Sequence, residues 1–176
     1  MSNKNEFVYV AGPDVFYPDA EQRAQKAREI ADVYGFKPLI PMDNDITTEN
    51  KTPLQIRDEI FEKNMKMINK CDIVIANITP FRGPSADAGT VWEIGCAVGQ
   101  GKPVFAFTDD MSDYNTRVKP DGMAIEDFKS VDNLMIACSV KSVSPSLEEA
   151  FKKAAFYVAE LENKKANKNT NTRKPT

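Results

Sequence analysis

Two carboxylates, Asp87 and Glu93, lie six positions apart in the segment FRGPSADAGTVWEIG, with Gly89 and Thr90 between them. The chain has no histidine. That excludes Ser-His-Asp and Cys-His catalysis, histidine metal sites and histidine pH switches, and leaves acid–base or nucleophilic work to Asp, Glu, Lys, Tyr or Cys. Small residues leading into a helix let a ligand come close to the backbone. A carboxylate in the first turn of that helix can project into a cleft. A structural reading competes at both positions. Thr90-Val91-Trp92-Glu93 fits a capping box with Thr90 as cap, and Asp87 suits the free amides of a helix start. Spacing does not choose between the two.

Other candidates carry a similar pair of readings. Gly12-Pro13-Asp14 after the first apolar run is a tight turn or the wall of a ligand pocket. Tyr9 belongs to the core, or its hydroxyl reaches a cleft at the strand end. Arg82 is a surface charge or a ligand clamp, and Asn64 is an exposed polar residue or one aimed at a ligand. Trp92 and the scattered Phe and Met residues read as packing. Cys71, Cys96 and Cys138 form no CxxC pair, and they read as reduced, buried small apolar residues without zinc. No GxGxxG follows the first strand and no GxxxxGK[ST] occurs, so dinucleotide binding and P-loop phosphoryl transfer lack their mechanical parts.

The elements that must position these groups alternate between strand and helix. Strands are expected at Phe7–Ala11, Phe36–Pro41, Asp72–Ile78, Pro103–Phe107 and Leu134–Ala137. A helix opens at Asp19, capped with Gln22 and stopped at Gly35. Another opens at Thr52-Pro53, with an apolar stripe of Ile56, Ile60, Met67 and Ile68. A third runs from about Gly89 to Gln100, and a last one, opened by Ser144-Pro145, runs to about Glu162. Apolar rather than alternating strands predict an α/β fold. The expected form is a single flavodoxin-like or Rossmann-like domain, with a five-stranded parallel sheet covered on both faces. Ligands in such folds bind at the carboxyl ends of the strands. The loops at 12–16, 41–45, 79–89 and 108–132 are therefore the ones to inspect.

At 176 residues, 41% hydrophobic and 28% charged, the chain suits one domain. The expected boundaries are a domain over 1–162 and a polar, disordered tail over 163–176. The formal charge of −3 disfavours nucleic acid as a partner. No apolar run approaches the ~20 residues of a membrane span, and the first residues lack a signal-peptide pattern. A cytoplasmic location is the expectation, with no membrane partner.

YVAGPDVF, IANITPFRGPSADAGTVWEIG, GKPVF and DGMAIEDFKSVDNLMI occur in order, and together they resemble the nucleoside 2-deoxyribosyltransferases from about Phe7 to Leu161. The resemblance implies a five-stranded parallel sheet with flanking helices. It implies transfer of a 2-deoxyribosyl group between nucleobases through a covalent glutamyl intermediate with retention, without metal or cofactor. Glu93 corresponds to the nucleophile, Asp87 to the residue handling the sugar and the proton of the base, and Tyr9 to the residue that helps hold the nucleophile. Asp45 lies in the base-facing loop and Asn64 at a polar position of the second helix. Gly12, Pro13, Asp14, Phe16, Arg82, Gly83, Ser85 and Gly89 complete the expected substrate contacts. A neighbouring subunit is expected to add Asp121, Met123 and Asn133, making the protein at least a homodimer acting on deoxynucleosides and free bases. Two alternatives stand beside this: an N-glycosidase acting on deoxyribonucleosides or their 5′-monophosphates, and a non-catalytic nucleotide-binding module in which Glu93 is only a cap.

Overall fold

The computed structural model describes residues 6–171. Five strands, β1 (Phe7–Ala11), β2 (Lys37–Leu39), β3 (Ile73–Asn77), β4 (Val104–Phe107) and β5 (Ser142–Ser144), form one sheet in the order β2-β1-β3-β4-β5. Every pairing is parallel; Tyr9 lies opposite Leu39 on one side and Val74 on the other. This is the flavodoxin-like strand order, which reverses direction between β1 and β3 and opens a crevice there.

Parallel neighbours cannot be joined by tight turns, so helices cross over and cover both faces. Alternation along each strand sends Tyr9, Ala11, Val74 and Ala76 to one face. There they meet Ile68 of α2 (Pro53–Lys70), Ile94 and Ala97 of α3 (Ala88–Gly99), and Ile136 of α5 (Leu134–Ser139). Val8, Ile73, Ile75 and Phe105 point to the other face, against Ala31 of α1 (Ala20–Val33) and Ala150, Phe151 and Ala154 of α6 (Leu147–Asn171). A single turn, α4 (Tyr114–Arg117), interrupts the long loop after β4.

Several local expectations need correction. Leu134–Ala137 is not the fifth strand but part of α5, whose start is capped by Asn133 accepting from the Met135 N–H at 2.9 Å. The fifth strand comes later and is the polar tripeptide SVS. As an edge strand bonded only to β4, it needs no apolar run. Asp19 stands at the start of α1 without capping it, because its carboxylate is held by Arg23 at 2.9 Å. Ser146, two residues beyond Ser144, caps α6 by accepting from the Glu149 N–H. That helix continues past Glu162 to Asn171; positions 172–176 of the expected tail lie outside the described residues. Ile60 on the expected stripe of α2 is exposed, and of the three cysteines only Cys71 is buried. Thr52 caps α2 as the Thr52-Pro53 order predicts, and Gln55 adds the reciprocal bond of a capping box. No described helix is long and apolar enough to cross a membrane.

Candidate active site

Strand β1 brings Tyr9, fully buried, under the second turn of α3. Its hydroxyl donates to Glu93 Oε1 at 2.6 Å, joining positions 84 apart in sequence. Glu93 is therefore not the back-bonding member of a capping box. The cap of α3 is Asp87, whose Oδ2 accepts from the Thr90 N–H at 3.1 Å. The structural reading holds for Asp87 and fails for Glu93.

Burial raises the Glu93 carboxyl from its ordinary 4.5 to about 7; the negative charge of Asp87 adds to the rise, and the Tyr9 hydrogen bond opposes it. Burial likewise pushes the Tyr9 phenol well above its usual range, with Glu93 contributing. Among the described residues no cation pairs with Glu93, and Tyr9 occupies only one of its oxygens. Such a carboxylate is poorly solvated and weakly stabilised, which is how burial tunes a group for chemistry at neutral pH.

Gly89, Trp92 and Glu93 share one face of α3 by i, i+3, i+4 spacing. Across from them Phe61, Asn64, Met65 and Ile68 share one face of α2. Between these faces lies a cleft of about 360 Å³. Asn64 accepts from Asn44 Nδ2 at 2.9 Å. So it is Asn44, not Asp45, that ties the loop after β2 to the cleft; Asp45 offers its backbone carbonyl to Lys63.

The remaining expected contacts divide. Gly12 and Asp14 line a different cavity of about 240 Å³, on the α1/α6 face, with Val10, Arg23 and Asn77. Asp14 there bonds Arg23 at 3.1 Å and Asn77 Nδ2 at 3.0 Å. A side chain at Gly12 would meet Asn77 Cβ at 2.8 Å, so the turn requires glycine. Pro13 is buried beside it. Phe16 stacks on Phe81 with centroids 5.6 Å apart, and the Arg82 guanidinium lies over both rings. Arg82 has a left-handed backbone (φ 55), and Gly83 beside it is open to solvent. Ser85 donates to the buried Asp132, which also accepts from the N–H groups of Ala86 (2.9 Å) and Asn133 (2.7 Å). Asn133 is committed to capping α5 and to Glu126. Asp121 and Met123 sit in a separate depression with Tyr114 and Val118.

Asp132 escaped the sequence reading, and Asn44, inside the expected base-facing loop at 43–45, was not singled out from it; each is one polar residue among many in a loop. Trp92 and Phe61, expected as packing, are instead 50% and 55% exposed and line the cleft. Among the described residues no group of three or more Cys, Asp or Glu is placed to hold a metal ion.

A flavodoxin-like α/β domain with a half-buried, tyrosine-held glutamate at the helix after β3 is the class that fold and site define. Residues 8–135 match the nucleoside 2-deoxyribosyltransferase family, and the chain belongs to it. A 2-deoxyribosyltransferase from Leishmania mexicana is 34% identical, with 85% of this chain and 97% of that one covered at a TM-score of 0.71. A 2-deoxyribosyltransferase from Bacillus psychrosaccharolyticus, 23% identical, shares the fold at a TM-score of 0.58, covering 85% of this chain and 90% of its own. An uncharacterised Schizosaccharomyces pombe protein, C191.05c, is 34% identical over 114 residues, or 64% of this chain. The match spans only about half of that relative's length (54%).

Proposed function

We propose that the protein transfers a 2-deoxyribosyl group between nucleobases, with Glu93 as nucleophile. The observation that carries this reading is the 2.6 Å bond from Tyr9 to a half-buried, cation-free Glu93 lining the cleft between α2 and α3. Tyr9 fixes Oε1 and leaves Oε2 to attack the anomeric carbon. The C1′–N bond breaks through an oxocarbenium-like state as the new C1′–O bond forms, and its electron pair leaves with the base. The departing nitrogen takes a proton relayed through Asp87 or through a water that Asp87 orients. An incoming base then attacks C1′ from the side the first base left, releasing Glu93 and returning its own proton by the same route. Two inversions give retention.

Only ionised Glu93 can attack, and burial holds it near 7 in the free site. A second copy of the chain is proposed to close the cleft with Asp121 and Met123, the latter 73% exposed, excluding the water that would turn transfer into hydrolysis. A cytoplasmic location goes with this reading. The test is a chromatographic assay with 2′-deoxyinosine as donor and adenine as acceptor. Transfer yields 2′-deoxyadenosine and hypoxanthine. Hypoxanthine with free deoxyribose and no new nucleoside would make the protein a hydrolase.

A further inference from the structure

The proposed reaction needs a surface that holds a flat heterocycle still while its bond to the sugar breaks. The aromatic surface of the cleft is Phe61 and Trp92, whose centroids lie 5.8 Å apart at 61°. Both rings are about half exposed, although the same cleft reaches down to Ile68, which is 1% exposed. Trp92 is adjacent to the nucleophile on α3, and Phe61 lies one turn before Asn64 on α2. Asn64 lines the cleft and its carbonyl is occupied by Asn44, which leaves its N–H groups as the donors it can offer a ligand. We infer that Phe61 and Trp92 form the wall on which the nucleobase stacks, with Asn64 donating to acceptors on its edge, an arrangement suited to a 6-oxopurine. This rests on the transferase reading above.

Trp92 is the chain's one tryptophan, so its fluorescence reports on the wall alone. Hypoxanthine without a sugar donor cannot be turned over. Titrated into the unmodified protein, it should quench the emission saturably. Phe61→Ala keeps the reporter and should weaken hypoxanthine binding about tenfold, the scale of one lost stacking surface. In the transfer assay Trp92→Ala should raise the acceptor's KM by about tenfold with a much smaller change in kcat, and Trp92→Phe should restore most of it. Absence of a saturable quench overturns the inference, as does a quench that Phe61→Ala leaves untouched. Emission that shifts on diluting the protein but not on adding base also overturns it, marking the pair as a contact between copies. The product assay judges the transferase reading separately: transfer without quench sinks only the wall, and quench without transfer sinks only the reaction.

Discussion

Tyr9 and Val10 are neighbours in β1, yet they face two unlike cavities on opposite sides of the sheet. On Tyr9's side the cleft holds Glu93, a carboxyl pushed up to about 7 with a phenol as its hydrogen-bond partner. On Val10's side the cavity holds Asp14, already matched by Arg23 and Asn77. The second cavity gathers the carboxyl ends of β1, β3 and β4, where this fold binds ligands, whereas the first lies between α2 and α3 with Tyr9 beneath it. The contrast teaches that a cavity at the right edge is not yet a reactive site. What separates the two is how each carboxylate is stabilised: one by a guanidinium and an amide, the other by a single hydroxyl inside a desolvating wall.

The sharpest break of that comparison is Glu93→Gln. It keeps a group able to accept from Tyr9 while removing the nucleophile, and transfer should fall by at least about a thousandfold. The same substitution should stabilise the fold, with a definite pH signature. A carboxyl held above its ordinary 4.5 binds its proton more tightly in the folded than in the unfolded state. Its contribution is therefore fully retained below about 4.5 and lost as pH rises to about 7. The loss is worth roughly 3 kcal/mol at 1.36 kcal/mol per pKa unit. Denaturant melts should show Glu93→Gln nearly equal to the parent at pH 4 and more stable at pH 8. Equal stability at both values would mean that Glu93 is not desolvated.

Next in size is Tyr9→Phe, which keeps the buried ring and removes the donor. Hydrogen bonds to charged groups contribute about 1.5–3 kcal/mol, and this one lowers the Glu93 pKa. The acid limb of kcat/KM, expected near pH 7 in the parent, should move up by about one to two pH units. An unmoved limb would assign that limb to another group.

Asp87 allows the site's two roles to be separated. Asp87→Asn can still cap α3, whereas Asp87→Ala cannot and should lose about 1 kcal/mol of stability. If Asp87 handles the proton of the base, both variants should slow transfer about a hundredfold or more. If it is only a cap, Asp87→Asn should remain close to the parent. Measuring stability and transfer in both variants decides between these roles.

The parts of this contrast were unequally legible in the sequence. The strands FVYVA and DIVIANI are apolar because both their faces are covered, and that composition alone implies a parallel sheet. LMIA is as apolar as a strand and SVS is not, yet the first is helix and the second strand. Asn133 supplies the cap that turns LMIA into α5, while β5, lying at the edge, needs only its backbone to pair with β4. The glutamate was legible as a candidate, but a capping box written in the same letters was the stronger reading of the local pattern. What removes the capping box is the contact with Tyr9 across 84 positions and the cap supplied by Asp87, and no local pattern encodes a distance of that kind. Trp92 was misread for a related reason: helical spacing places it on a face, and only the neighbouring helix decides whether that face is covered.

The smallest expected effect lies in the other cavity. Arg23 bonds Asp14 and Asp19 and lies 4.1 Å over the Tyr17 ring. Its side chain is 38% exposed, so solvent screens the ion pairs and Arg23→Ala should cost no more than about 1 kcal/mol. Asn77 would still donate to Asp14 and hold the loop after β1 in place. Transfer should therefore stay within about twofold of the parent, with the acid limb unmoved because Glu93 lies on the opposite face of the sheet. A tenfold loss of transfer at unchanged stability would break the comparison at its root, since the two cavities would then be halves of one site joined through the ends of β1 and β3.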